Sequence, residues 1–159
     1  MADQEYLMTK IRRAEAGDVP SLLPLIEEYW CFEAISGFES GRVAAQLARL
    51  LSDPRLGAGW ISSGDGVATG YLIAVYVFSL EHMGVTAEID EFFVLPSQRG
   101  RGIGAELLGV AESEFRRVGC TNVSLQLSRH NDPARAFYRR HQYGERSGYD
   151  LLDKMLHDG

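Results

Sequence analysis

Seven residues, Arg99-Gly100-Arg101-Gly102-Ile103-Gly104-Ala105, carry the densest chemical signal in this chain. Three glycines in five positions let the backbone take φ > 0 and let a ligand approach the main chain closely. The spacing of apolar residues predicts a helix from Gly104 onward. Its unpaired first-turn amides and positive dipole end would face the same turn, and Arg99 and Arg101 add charge to it. A phosphate-bearing ligand fits all of this together. Just upstream, Glu88, Asp90 and Glu91 place three carboxylates on a strand predicted over 87–95. Alternation of period two sends Glu88 and Asp90 to one face and Glu91 to the other, unless a bulge shifts the parity. Carboxylates so placed could accept the proton of an ammonium group, directly or through water, or simply hold a cation.

Three phosphate-binding devices have to be told apart. A nucleoside triphosphatase loop needs GxxxxGK[ST], and neither the lysine nor the hydroxyl residue is present. The dinucleotide pattern GxGxx[GA] matches as Gly100, Gly102 and Ala105. That fold wants its glycines at the strand end and an acidic residue closing the next strand. Here Pro96-Ser97-Gln98 intervenes, and the next predicted strand ends in Leu127-Ser128-Arg129. An NAD(P)-binding oxidoreductase stays open at this point as the weaker alternative.

The elements that must position these residues follow from punctuation and periodicity. A strand is predicted over 10–14, then a helix started by Asp18-Val19-Pro20, with Asp18 as its cap and Pro24 expected to bend or restart it. A second helix is predicted over 41–51. Strands over 60–63 and 67–78 flank Gly64-Asp65-Gly66 as a hairpin. After the 87–95 strand come a helix over 104–118 closed by Gly119, a strand over 121–127 and a short helix over 133–141. Residues 149–155 read as a closing strand or a short helix. The predicted order is β-α-α-β-β-β-α-β-α-β, an α/β fold with a mixed, mostly antiparallel twisted sheet flanked by helices, in a single domain over 1–159.

With the flanks in view, Arg99-x-x-Gly102-x-Gly104 resembles the [RQ]xxGx[GA] signature of the GNAT superfamily of N-acetyltransferases. Phe92-Phe93-Val94-Leu95-Pro96 looks like that family's fourth strand, and Gly104-Ala105-Glu106-Leu107-Leu108 like the start of its pyrophosphate helix. Asn131-Asp132-Pro133-Ala134-Arg135-Ala136-Phe137-Tyr138 resembles its N-x-x-A-x-x-[FL]-Y segment. Element order is similar over nearly the whole chain, and the motifs span 87–143. Asp90-Glu91-Phe92-Phe93-Val94 is also similar to the EDFFV stretch of the diamine (spermidine/spermine) acetyltransferase branch. Gln142-Tyr143 departs from the family's usual Gly-Phe, and the segment after Tyr143 is unlike the diamine branch.

The resemblance implies acetyl-CoA as co-substrate, held by the amides and side chains of Arg99, Gly100, Arg101, Gly102, Ile103, Gly104 and Ala105. It implies that Phe92, Phe93 and Val94 lie on a splayed strand, pairing with pantetheine and polarising the acetyl carbonyl. Asn131 would bond pantetheine, with a helix cap as its other reading. Tyr138 sits where many members keep a general acid for the departing thiolate, and Glu88 where some keep a basic glutamate, with Glu91 the other candidate base. An amine acceptor would be met by Asp90 and Glu91, by Glu28 and Tyr29 from an aromatic and acidic cluster at the end of the first helix, and by Glu81 beside the cleft. The implied reaction is acetyl transfer to a primary amine of a cationic acceptor by direct attack. A non-catalytic acyl-CoA-binding sensor would keep the same turn.

Composition bounds these readings. The chain has 159 residues, 45% hydrophobic, enough for one core and too apolar for a disordered segment. Its net charge of -6 argues against broad phosphate contacts to nucleic acid. The charge is unevenly spread: residues 1–95 carry 14 acidic against 6 basic side chains, and nine arginines lie between Arg99 and Arg146. No apolar run is long enough to span a membrane, and the N-terminal MADQEYLMTKIRR has no leader-like apolar stretch. Cys31 and Cys120 have no metal-ligand or CxxC spacing, and none of the four histidines has partner spacing for a metal. The expectation is a cytoplasmic protein with reduced thiols, no metal, no nucleic-acid or membrane partner, and a possible homodimer.

Overall fold

The computed structural model describes residues 9–157, so most of the N-terminal stretch read for a leader lies outside the described residues. The chain divides into two compact units, with the boundary between Gln126 and Leu127. The first is built on a five-stranded sheet in sequential order: β1 (Lys10–Arg13), β2 (Gly57–Gly64), β3 (Val67–Ser79), β4 (Gly84–Val94) and β5 (Val123–Leu125). Neighbours pair antiparallel except β4 and β5, which run parallel. The parallel step follows from the intervening crossover helix, since a hairpin cannot join parallel strands.

Helices α1 (Val19–Phe32) and α2 (Ser40–Ser52) contribute to one core of the sheet. Leu22, Leu25 and Ile26 of α1 pack there with Leu47 of α2 and with Ile61, Tyr71, Ile73 and Phe93 of the strands. Each buried side chain of this size contributes roughly 1.5–3 kcal/mol. Helix α3 (Ile103–Arg117) buries Ile103, Leu107, Leu108, Ala111 and Phe115, a one-face spacing. The Phe115 ring packs edge-on to Trp60 of β2 at 5.6 Å. Helix α3 stops where Gly119 takes φ +87°, a left-handed turn that suits glycine. The β2–β3 hairpin turns at Asp65 (φ +51°) and Gly66 (φ +74°), as the Asp-Gly pair predicts.

Three local expectations are corrected. Asp18 does not cap α1 with its side chain; its carboxylate accepts from both terminal nitrogens of Arg12 and from the Glu15 amide, closing the short 3-10 turn at Ala16–Asp18. Of the bend or restart expected at Pro24, the restart does not occur: α1 runs unbroken through it, because that residue forfeits a single hydrogen bond while the apolar face continues into the core. The strand expected over 121–127 is limited to Val123–Leu125.

The second unit holds α4 (Asp132–Arg140). The expected closing element over 149–155 does not form, and Tyr149, Leu151, Leu152, Met155 and Leu156 are exposed there. Their alternation is poor: Leu151 and Leu152 are adjacent and cannot share one strand face.

Candidate active site

Strand β4 carries the site because of one irregularity. Ile73 of β3 pairs with Glu91, while the next residue, Ala74, pairs with Ile89, so Asp90 is an extra residue in β4. A bulge of this kind changes side-chain parity. Glu91 now shares the face of its partner Ile73, and Glu88 that of its partner Val75. Asp90, Glu91, Ile73 and Val75 all line one cavity of about 780 Å3. The parity read from the sequence is thereby corrected, and the three carboxylates fall on the side covered by α1 and α2.

Glu91 is held from two directions. Trp30 Nε1, near the end of α1, donates to its Oε2 at 2.7 Å, and the Tyr71 hydroxyl of β3 donates to its Oε1 at 3.0 Å. Burial pushes the Glu91 carboxyl up to about 7, while these two hydrogen bonds pull the other way and nearby Asp90 adds to the rise. Burial, then the charge of Glu91, raises the Tyr71 phenol far above its ordinary value, so it remains a donor. Asp90 is exposed at the cavity mouth, yet the surrounding protein raises its carboxyl pKa by desolvation. Glu88 is half-buried and accepts a 3.4 Å hydrogen bond from Gln126.

The remaining acceptor candidates are placed elsewhere. Glu28 is exposed and lines a separate cavity of about 360 Å3 with Pro24, Leu25 and Val67. Tyr29 packs its ring against Tyr71 and Phe93 at 6.4 and 5.9 Å, behind the clamp around Glu91. Glu81 is exposed in the turn after β3. Sequence reasoning missed Tyr71, which sits inside an apolar run, and the contribution of α2, whose Arg42, Gln46 and Arg49 line the large cavity. The i, i+4, i+7 spacing of those three polar residues was the available signal.

On its outer side β4 is paired with β5 only at Ala87, Glu88 and Ile89. Farther along, no strand covers that edge among the described residues. The Leu95 amide donates to Thr69 O across β3, so alternation turns the main-chain groups of Val94 outward, where Val94 O accepts from Arg99 Nε at 2.9 Å. The β4 edge at Phe92, Phe93 and Val94 therefore lies beyond the last residue that pairs with the short β5. Phe93 itself is buried in the core. The Arg99 guanidinium lies over the rings of Phe32 and Phe93, at 5.5 and 5.4 Å, turned back onto β4.

The glycine turn has the geometry its composition predicts. Gly100 and Gly102 take φ +78° and +80°, and a Cβ added at either would meet nothing within 4 Å, so the main chain is open to a ligand. Gly102 is the N-cap of α3 and offers no side chain to the first amides, leaving those of Ile103, Gly104 and Ala105 for an anion. Arg101 is exposed and bonds Gln98. In the second unit, Asn131 Oδ1 accepts from the Ala134 amide at 3.2 Å and caps α4. Tyr138 is half-buried on α4, its ring packed edge-on to Phe137 and Tyr143 at 5.3 and 5.4 Å. Gln142, where the family keeps glycine, takes φ +68° just past the helix end. Among the described residues no three His, Cys, Asp or Glu side chains are grouped to hold a metal, and no helix is long and apolar enough to cross a membrane.

Comparison with known proteins bears on this arrangement. The sequence profile of the Acetyltransferase (GNAT) family matches residues 22–143. An uncharacterized N-acetyltransferase, YhfO of Bacillus subtilis (strain 168), is 28% identical over 139 residues, covering 87% of this chain and 92% of that one. The aminoalkylphosphonate N-acetyltransferase of Salmonella typhimurium is 35% identical over 79 residues, about half of each chain. Among solved structures, an aminoglycoside N-acetyltransferase in complex with CoA superposes with a TM-score of 0.83 at 19% identity, covering 96% of this chain and 99% of that one, a likeness of fold. The NAD(P) reading of the glycine turn falls with these matches. The chain thus belongs to the GNAT family and is an acetyl-CoA-dependent N-acetyltransferase.

Proposed function

We propose that the protein moves the acetyl group of acetyl-CoA onto the primary amine of a cationic acceptor by direct attack, with Glu91 as base, Asp90 as counter-charge and Tyr138 as acid. The observation that carries this reading is the Glu91 carboxyl, held by Trp30 and Tyr71 in the wall of a cavity and titrating near neutrality. A base with that pKa is ionised in part at neutral pH and still binds the proton of an alkylammonium strongly enough to move it. Acetyl-CoA supplies the activated thioester. The amides of the glycine turn and of the first turn of α3 fit its pyrophosphate, and the outward Val94 edge fits its pantetheine amides.

In this scheme Glu91 takes one proton from the bound ammonium, the neutral nitrogen bonds to the acetyl carbon as the carbon–sulfur bond breaks, Tyr138 gives its phenolic proton to the thiolate, and the second proton of the acylated nitrogen leaves to restore the phenol and give the neutral amide. The outward main-chain amide of Val94 in β4 polarises the carbonyl oxygen. A covalent acyl-cysteine is disfavoured, because burial pushes the Cys120 thiol up, away from the nucleophilic thiolate. The names of the two characterised relatives, acting on aminoalkylphosphonates and aminoglycosides, support a small-molecule amine as acceptor.

The test is release of CoA thiol from acetyl-CoA against a panel of amines, with thermal stabilisation by acetyl-CoA read alongside. Binding of a ligand at a hundredfold excess over its Kd raises stability by about 2.7 kcal/mol. Thiol release with one class of amine, abolished by Glu91→Gln, is the expected result. Stabilisation without release from any amine would overturn the proposal.

A further inference from the structure

The cavity beside Glu91 is not uniformly acidic. One wall presents Asp90 and Glu91 from β4, and another presents Arg42, Gln46 and Arg49 from α2. These three lie at i, i+4 and i+7 and so share one face of the helix, above the apolar Val43, Leu47 and Leu50 of the same cavity. Residues 1–95 hold 14 carboxylates, yet Ser40–Ser52 contains two arginines and no acid. Glu39, which also lines the cavity, is already committed: its two oxygens accept from the Gly41 and Arg42 amides at 3.0 and 2.7 Å and cap α2. Among the described residues no ion pair joins Arg42 or Arg49 to a carboxylate, although the charge of Arg49 acts on Asp53 from farther off.

A cavity with carboxylates from one element and arginines outside any ion pair from another matches a ligand with both signs on one skeleton. We propose that the acceptor is a zwitterionic amine, its ammonium at Asp90 and Glu91 and its carboxylate, phosphonate or phosphate group at Arg42 and Arg49. Planar guanidinium groups bind such oxyanions in a bidentate manner, and Gln46 between them adds an amide donor. A diamine of the same length would set its second ammonium against two arginines. This inference rests on the acetyl transfer proposed above and puts a zwitterion, which carries the cationic amine but no net positive charge, in place of a cationic acceptor.

The experiment uses the full chain and a two-carbon series: 2-aminoethylphosphonate, β-alanine, ethylamine and ethylenediamine. Thiol release gives kcat/KM for each, and calorimetric titration gives binding without turnover. We expect the anionic amines to exceed ethylenediamine by at least tenfold, since a charge-assisted hydrogen bond is worth about 1.5–3 kcal/mol, or roughly 10–100-fold. Arg42→Gln and Arg49→Gln should each bring the ratio of anionic amine to ethylamine toward one, chiefly through KM of the amine. Circular dichroism would confirm that both variants fold.

Preference for ethylenediamine, an unchanged ratio in both variants, or an equal rise in KM for acetyl-CoA would overturn the inference. Turnover without discrimination would leave acetyl transfer standing. Tight binding of the anionic amines, lost in both variants but without thiol release from any amine, would support the inference and overturn the transfer reading.

Discussion

Replacing Glu91 by glutamine removes a charge and keeps the side chain's size and both hydrogen bonds. Trp30 Nε1 can donate to the amide oxygen, and the amide NH2 can donate to the Tyr71 hydroxyl, which also accepts. The wild-type carboxyl titrates at about 7 against 4.5 for an unburied glutamate. Its folded form binds the proton more tightly than its unfolded form. Ionisation therefore withdraws stability as pH rises from about 4.5 through about 7. At one pKa unit per 1.36 kcal/mol, the cost approaches about 3 kcal/mol above neutrality and nearly vanishes below pH 4.5. Glu91→Gln escapes that cost. In denaturant melts the variant should equal wild type at about pH 4.5 and gain up to ~3 kcal/mol by about pH 8, roughly 5–10 °C in Tm. Activity should move the opposite way: wild-type kcat/KM rises with pH through about 7, and the variant loses about 10²–10⁴-fold across that range. A variant equally destabilised at both pH values would show that the carboxyl is ionised and well solvated in the fold. Wild-type turnover would remove Glu91 as the base.

Further expectations follow from the same geometry. Tyr71→Phe deletes one donor to the ionised Glu91, so the midpoint of the pH–rate profile should move to higher pH; an unmoved or lowered midpoint would contradict the clamp. Tyr138→Phe should lower kcat by about a hundredfold, with far less change in acetyl-CoA affinity, as checked by steady-state kinetics and calorimetric titration. Gly102→Ala forces a Cβ into φ +80°, so thermal melts should show a loss of about 1–2 kcal/mol, and KM for acetyl-CoA should rise. Gln142→Gly relieves a residue at φ +68° and should stabilise the second unit by up to ~1 kcal/mol, read by amide exchange in α4.

Local signals carried much of the fold and the geometry of the glycine turn. The glycine turn was legible because φ > 0 and an uncapped helix start are encoded within a few residues, and Gly100 and Gly102 adopt just those angles. The stop at Gly119 and the Asp65-Gly66 hairpin are local in the same sense. Of the two roles open to Asn131, which can coexist, the cap is formed: its Oδ1 accepts from the Ala134 amide.

The acceptor side was not legible. Period-two alternation assigned Glu91 to the wrong face relative to Glu88, since the bulge at Asp90 arises from how β3 and β4 pair and not from either segment alone. The clamp on Glu91 joins residues 30, 71 and 91 across three elements, and the opposing arginines come from a fourth. Types and short spacings thus determined the glycine turn, the order of elements and the candidate carboxylates. Only tertiary packing decided which carboxylate is buried, which donors restrain its pKa and which charges face it, because desolvation and long-range hydrogen bonds exist only once distant segments are brought together.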